Sequence, residues 1–183
     1  LNVTARGSGS VVAVENFTLR DGARLSATGQ WGGDGGVVAA TLTKLSGDAA
    51  IFCADAYADN CGACLLSSVE LEDRASITAR NATGGSLGGA ICGGYPGMYI
   101  SVQGGASIDV QGASAGLYGG ALLAHDVRLG GSGSGSGAST SSDAFSVRLR
   151  DVEAACGGAV VVLDADNRIG AGPMSVDGSG GGA

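Results

Sequence analysis

The residues able to do chemistry are few and widely spaced. Carboxylates recur at Asp21, Asp34, Asp73, Asp109, Asp126 and Asp151. Glycoside cleavage needs two carboxylates flanking one bond, and calcium needs several oxygens converging on one point. Spread one per stretch of chain, these acids read more naturally as turn residues, Asp21 and Asp73 above all. His125 is the single histidine; alone it cannot build a histidine-based metal site, and no serine near it carries a nucleophile signature. It reads as a solvent-facing strand residue. Gly32-Gly33-Asp34-Gly35-Gly36 contains pieces of the calcium-binding nonapeptide of β-helices, but that chemistry requires repetition. The expectation is a chain that is not an enzyme, with no catalytic residue, no metal and no cofactor.

Three other groups remain. Asn2, Asn16 and Asn81 each open an Asn-X-Thr sequon and are candidate glycosylation sites on the secretory route. Cys61-Gly62-Ala63-Cys64 has the CxxC spacing of a zinc site, but the remaining ligands, Cys92 and Cys156, lie far along the chain. With secretion signals present, disulfides are the favoured reading: Cys53–Cys61 closing a loop and Cys64–Cys92 joining neighbouring repeats, with Cys156 left over. Trp31 and Tyr95 lie in glycine-rich stretches, where a ring either stacks on a sugar or partner, or closes the hydrophobic interior at a corner.

Bulk composition narrows the field. The chain has 36 glycines among 183 residues, 44% hydrophobic residues and only 15% charged ones. Disordered segments are poor in apolar residues, so the glycine here belongs to a folded chain. The formal net charge of −7 opposes binding to a phosphate backbone, so no nucleic-acid partner is expected. No apolar run approaches the roughly 20 residues of a membrane-spanning helix.

The elements that must position these residues come from a repeat. Gly-Gly-Ala followed by an aliphatic residue stands at Gly88–Ile91, Gly119–Leu122 and Gly157–Val160, with variants at Gly35–Val38 and Cys61–Cys64. Upstream, an eleven-position block aligns without gaps at Phe17–Ala27, Val69–Ala79 and Ile100–Val110, about 20 residues before the next triplet. Within each block apolar and polar residues alternate, as in Val69/Leu71 and Ile77/Ala79. Period two means short strands with one face buried. A recurrence of 24–38 residues without helical periodicity describes a solenoid. The predicted fold is all-β: a right-handed, single-stranded parallel β-helix of about six coils, one domain over residues 1–183. Loop insertions are expected near residues 52–61 and 130–144. Gly181-Gly182-Ala183 looks like the opening of another copy, so the expectation is a longer chain whose ends abut other coils or subunits.

The Gly-Gly-Ala-[Ile/Leu/Val] repeat, from about Val11 to Ala183, resembles that of chlamydial polymorphic outer-membrane proteins and related surface proteins. That resemblance implies a large secreted β-helix whose passenger region acts in adhesion; the Phe-X-X-Asn repeat of that family is missing here. The expected function is therefore a structural or adhesive β-helix of a secreted, cell-surface or extracellular-matrix assembly. Its expected partners are neighbouring coils or subunits. The alternative is a polysaccharide-binding or polysaccharide-degrading β-helix, for which glycans are the partner.

Overall fold

The computed structural model describes residues 2–3, 12–93, 97–118, 120–130, 145–156, 160–162, 168–169 and 174–177. Every strand pair in it is parallel, and the strands collect into three sheets. The first sheet stacks seven strands: Asn2–Val3, Arg24–Thr28, Ala50–Ala54, Ser76–Arg80, Ser107–Gln111, Ser146–Arg150 and Met174–Asp177. The second is short and has five: Trp31–Gly32, Tyr57–Ala58, Thr83–Gly84, Ser114–Tyr118 and Glu153–Cys156. The third begins with the long strands Val12–Leu19, Val38–Leu45 and Leu65–Leu71. Beyond Leu71 each long strand is replaced by two shorter ones, the first pair being Ile91–Gly93 and Tyr99–Val102. The chain visits the three sheets in turn, so it is a parallel β-helix. From Trp31 to Glu153 on the short sheet it completes four full turns, and about four turns rather than six describe the solenoid.

The repeat explains the stacking. Phe17, Thr43, Val69, Ile100 and Val127 fall in one register column. Leu25, Ile51, Ile77, Ile108 and Val147 fall in another. From the second turn onward the small Ala49, Ala75 and Ala106 stack at the corner between sheets, all buried. The core is thus a set of axial files, with branched side chains along the sheets and small ones at the corners. Each coil buries its inner face against the next, so stability rests on neighbour stacking. Asp21 and Asp73 are turn residues as expected, with φ of 52° and 60°.

Three expectations need correction. Residues 52–61 are not a projecting loop. They supply the strands Ala50–Ala54 and Tyr57–Ala58, within a coil of ordinary length. The cause is an eleven-position block at Thr43–Cys53, hidden because Thr43 stands where other copies have an apolar residue. Second, in the variant Cys61–Cys64 it is Gly62, not Cys61, that stands opposite the first glycine of the next triplet: the Gly62 N–H donates to Gly88 O at 2.9 Å. Gly35, Gly62 and Gly88 all have positive φ (74°, 71° and 39°), which is why this corner selects glycine. Third, the only disulfide among the described residues is Cys53–Cys64, with Cα atoms 5.9 Å apart. The expected Cys53–Cys61 and Cys64–Cys92 pairings do not form. Cys53 and Cys64 both face the interior, whereas Cys61 and Cys92 pack in a separate apolar cluster with Leu66 and Leu123. The corner is responsible: Cys64 and Leu65 are consecutive yet both point inward, so counting by alternation fails there. The insertion expected near 130–144 lies almost wholly outside the described residues, as do Gly181–Ala183.

Candidate functional site

Among the described residues, the short sheet presents an in-register outward column. Trp31 pairs in register with Tyr57, Tyr57 with Thr83, Thr83 with Ser114, and Ser114 with Glu153. The following residues, Gly32, Ala58, Gly84 and Ala115, are buried. Strand alternation therefore turns the five paired residues outward in one axial column. At a strand spacing of about 4.8 Å the column is about 19 Å long.

Chemistry changes steadily along it. Trp31 and Tyr57 are 52% and 39% exposed, and their rings meet edge-on with centroids 6.2 Å apart. The Trp31 indole Nε1 donates to Asp59 Oδ1 at 3.3 Å, which fixes the ring while half of the side chain stays exposed. In the middle, Ser114 Oγ and Thr83 Oγ1 are hydrogen-bonded at 3.1 Å. Exposed Glu153 ends the column.

Beside the column runs an open groove of about 490 Å³, lined by Tyr57, Thr83, Gly85, Ser114, Gly116 and Glu153, among others. Its floor is backbone. A Cβ on Gly85 would lie 2.1 Å from Asp59 O, and one on Gly116 would lie 2.0 Å from Gly85 O. Consecutive coils approach too closely there for any side chain. The result is a trough with the Tyr57 ring at one end, hydroxyls along its length and a carboxylate at the other end, the column running on past Tyr57 to Trp31. That set can stack on the apolar face of a ring and exchange hydrogen bonds with hydroxyls.

Of the residues singled out from sequence, Trp31 belongs to this face and does not close the interior; buried Gln30 occupies the inner position beside it. Tyr95 lies outside the described residues. Asn16 and Asn81 are exposed, and Asn81 occupies a left-handed corner (φ 49°), where its Nδ2 donates to Asp55 Oδ1 at 2.9 Å. Asn2 is in a strand of the first sheet, and its side chain is outside the description. The acids are not gathered into one site. Asp109 is held between Arg80 and Arg150 at 2.8 and 3.0 Å. Asp126 pairs with Arg128. His125 is half-buried at a bend, its N–H donating to Met98 O at 3.1 Å. Among the described residues no group of three or more His, Cys, Asp or Glu is placed to hold a metal ion.

Sequence reasoning missed Tyr57, Thr83, Ser114 and Glu153. Their types differ, so no motif joins them. A positional signal does exist: each stands four residues beyond the last apolar position of its block, after Cys53, Ala79, Val110 and Leu149, just as Trp31 follows Ala27.

Fold and face together define a parallel β-helix with an axial groove. No family model matches the chain, and neither the curated proteins nor the solved structures compared with it contain a match.

Proposed function

We propose that this chain is a non-catalytic, adhesive β-helix of a secreted or cell-surface assembly, and that it adheres by holding an extended neutral glycan along its short sheet. The observation that carries this reading is the in-register column Trp31–Tyr57–Thr83–Ser114–Glu153 beside a glycine-floored groove. A strand spacing of about 4.8 Å is close to the length of one pyranose along an extended chain, so successive coils offer one rung per sugar. Aromatic faces stack on sugar rings, and the hydroxyl rungs supply donors and acceptors. The net charge of −7 disfavours uronate or sulfated polymers.

Binding without cleavage fits the spacing of the carboxylates. Asp59 and Glu153 lie three coils apart, about 14 Å along the axis, whereas glycosidase pairs lie within about 5–10 Å of each other. The exposed sequons at Asn16 and Asn81 and the Cys53–Cys64 bridge support an extracellular setting. The resemblance of the Gly-Gly-Ala repeat to that of polymorphic outer-membrane proteins points the same way, with neighbouring coils or subunits as the remaining partners.

Trp31 is the only tryptophan, so its fluorescence reports on the face directly. Neutral oligosaccharides are expected to shift that emission saturably, and Trp31→Ala to weaken binding on a glycan array about tenfold, the equivalent of about 1.4 kcal/mol. An array on which no neutral glycan binds, or on which Trp31→Ala and Tyr57→Ala both bind like the wild type, would overturn the reading.

A further inference from the structure

Outside the interior, against the third sheet, lies a second apolar cluster of Cys61, Leu66, Cys92 and Leu123, flanked by half-buried Ala39 and Leu87. Cys61 occupies the corner before strand Leu65–Leu71 and bridges to Leu87 of the next coil. Cys92 lies on strand Ile91–Gly93 of that next coil, in register with Leu66. The two thiols are hydrogen-bond partners, buried at 5% and 0% exposure.

We infer that Cys61 and Cys92 form a redox-active dithiol that oxidises to a second disulfide, stapling two consecutive coils together. The Cys53–Cys64 bridge spans eleven residues of a single coil and crosses the interior. A Cys61–Cys92 bridge would instead join that coil to its neighbour from the outside. The oxidant is a small-molecule disulfide. The Cys61 thiolate attacks one of its sulfurs and expels a thiol, and Cys92 then displaces the second thiol from the mixed disulfide. Two S–H bonds break and one protein S–S bond forms, while the oxidant is reduced to two thiols. The hydrogen bond from Cys92, opposed by burial, holds the Cys61 thiol below its ordinary pKa, which favours Cys61 as the attacking group. Burial confines the exchange to folding or to local opening of the corner.

The test is oxidative refolding of the Cys156→Ser chain in glutathione buffer, followed by alkylation and non-reducing peptide mass mapping. Removing exposed Cys156 eliminates pairing between chains. The expected map contains a Cys61–Cys92 linked peptide beside Cys53–Cys64, with no alkylated cysteine. The oxidised chain should also show a higher urea midpoint than a Cys61→Ala/Cys92→Ala chain refolded in the same glutathione buffer, which keeps the Cys53–Cys64 bridge. Full alkylation of Cys61 and Cys92 while Cys53–Cys64 is bridged would overturn the inference. So would cross-links joining either of them to Cys53 or Cys64.

Discussion

Gly116 is exposed on the groove floor, yet no side chain fits there, because a Cβ would fall 2.0 Å from the Gly85 carbonyl oxygen. Gly33, three coils away beside the same sheet, would meet nothing closer than 4.0 Å. Gly116→Ala should therefore lower stability by about 1–3 kcal/mol through forced separation of coils, and Gly33→Ala should change it little. Urea midpoints of the two variants check this, and equal midpoints would refute the close-packed floor. Thr43 makes the opposite case. It is wholly buried in an apolar column, and its Oγ1 has no hydrogen-bond partner. Thr43→Val keeps the shape and removes the orphaned hydroxyl, so it should stabilise the fold by about 1 kcal/mol, read from the same urea midpoint. This one hydroxyl also hid a whole coil from sequence reasoning: with Thr at position 43, Thr43–Cys53 does not look like a copy of Val69–Ala79.

At the scale of strands and sheets, the outer faces are tied by charges that run from coil to coil. On the third sheet Tyr99 Oη donates to Glu70, and Lys44 pairs with Glu70 and Glu72 at 3.2 and 3.0 Å. The Tyr99 hydroxyl, then Lys44, hold the Glu70 carboxyl below its ordinary value, while burial and Glu70 push Tyr99 up to about 12. On the first sheet burial raises the Asp109 pKa, but hydrogen bonds from Arg80 and Arg150 outweigh it and leave the group depressed. A carboxyl depressed on folding contributes stability in full above its unfolded pKa of about 4, and loses it as pH falls through the folded value. Stability should therefore fall on acidification below about pH 5. Asp109→Asn should be less stable than the wild type at neutral pH and should show a flatter acid limb. Parallel acid limbs in urea midpoints from pH 7 to pH 3 would contradict this assignment. These ties were not legible in advance, because they join residues 26 to 41 positions apart whose pairing depends on register. The strands themselves were legible, since Leu25, Ile77 and Ile108 repeat in type as well as in place. The cysteine pairing was not, because the corner at Gly62–Cys64 interrupts the alternation from which facing is inferred.

At the scale of the whole molecule, the same stacking that builds the core sets the periodicity of the surface. Each turn adds one rung to the short sheet whatever its length, because the longer turns place their extra residues elsewhere. Thr83 and Ser114 are 31 residues apart and Ser114 and Glu153 are 39 apart, yet both pairs are directly in register. On the proposed reading, a groove built this way would recognise a polymer by its repeat. Affinity for a series of neutral oligosaccharides should therefore rise with each added sugar until the rungs from Trp31 to Glu153 are filled, at about five residues given the strand spacing, and then level off. Ser114→Phe, which places a ring across the middle of the trough, should shorten that series, since only the Trp31–Tyr57–Thr83 end remains open. Calorimetric titration of oligomers of increasing length measures both effects. An affinity that saturates at two sugars in both proteins would reduce the site to the aromatic pair alone. A series that keeps rising well past five would mean that the ligand runs along some face other than this one.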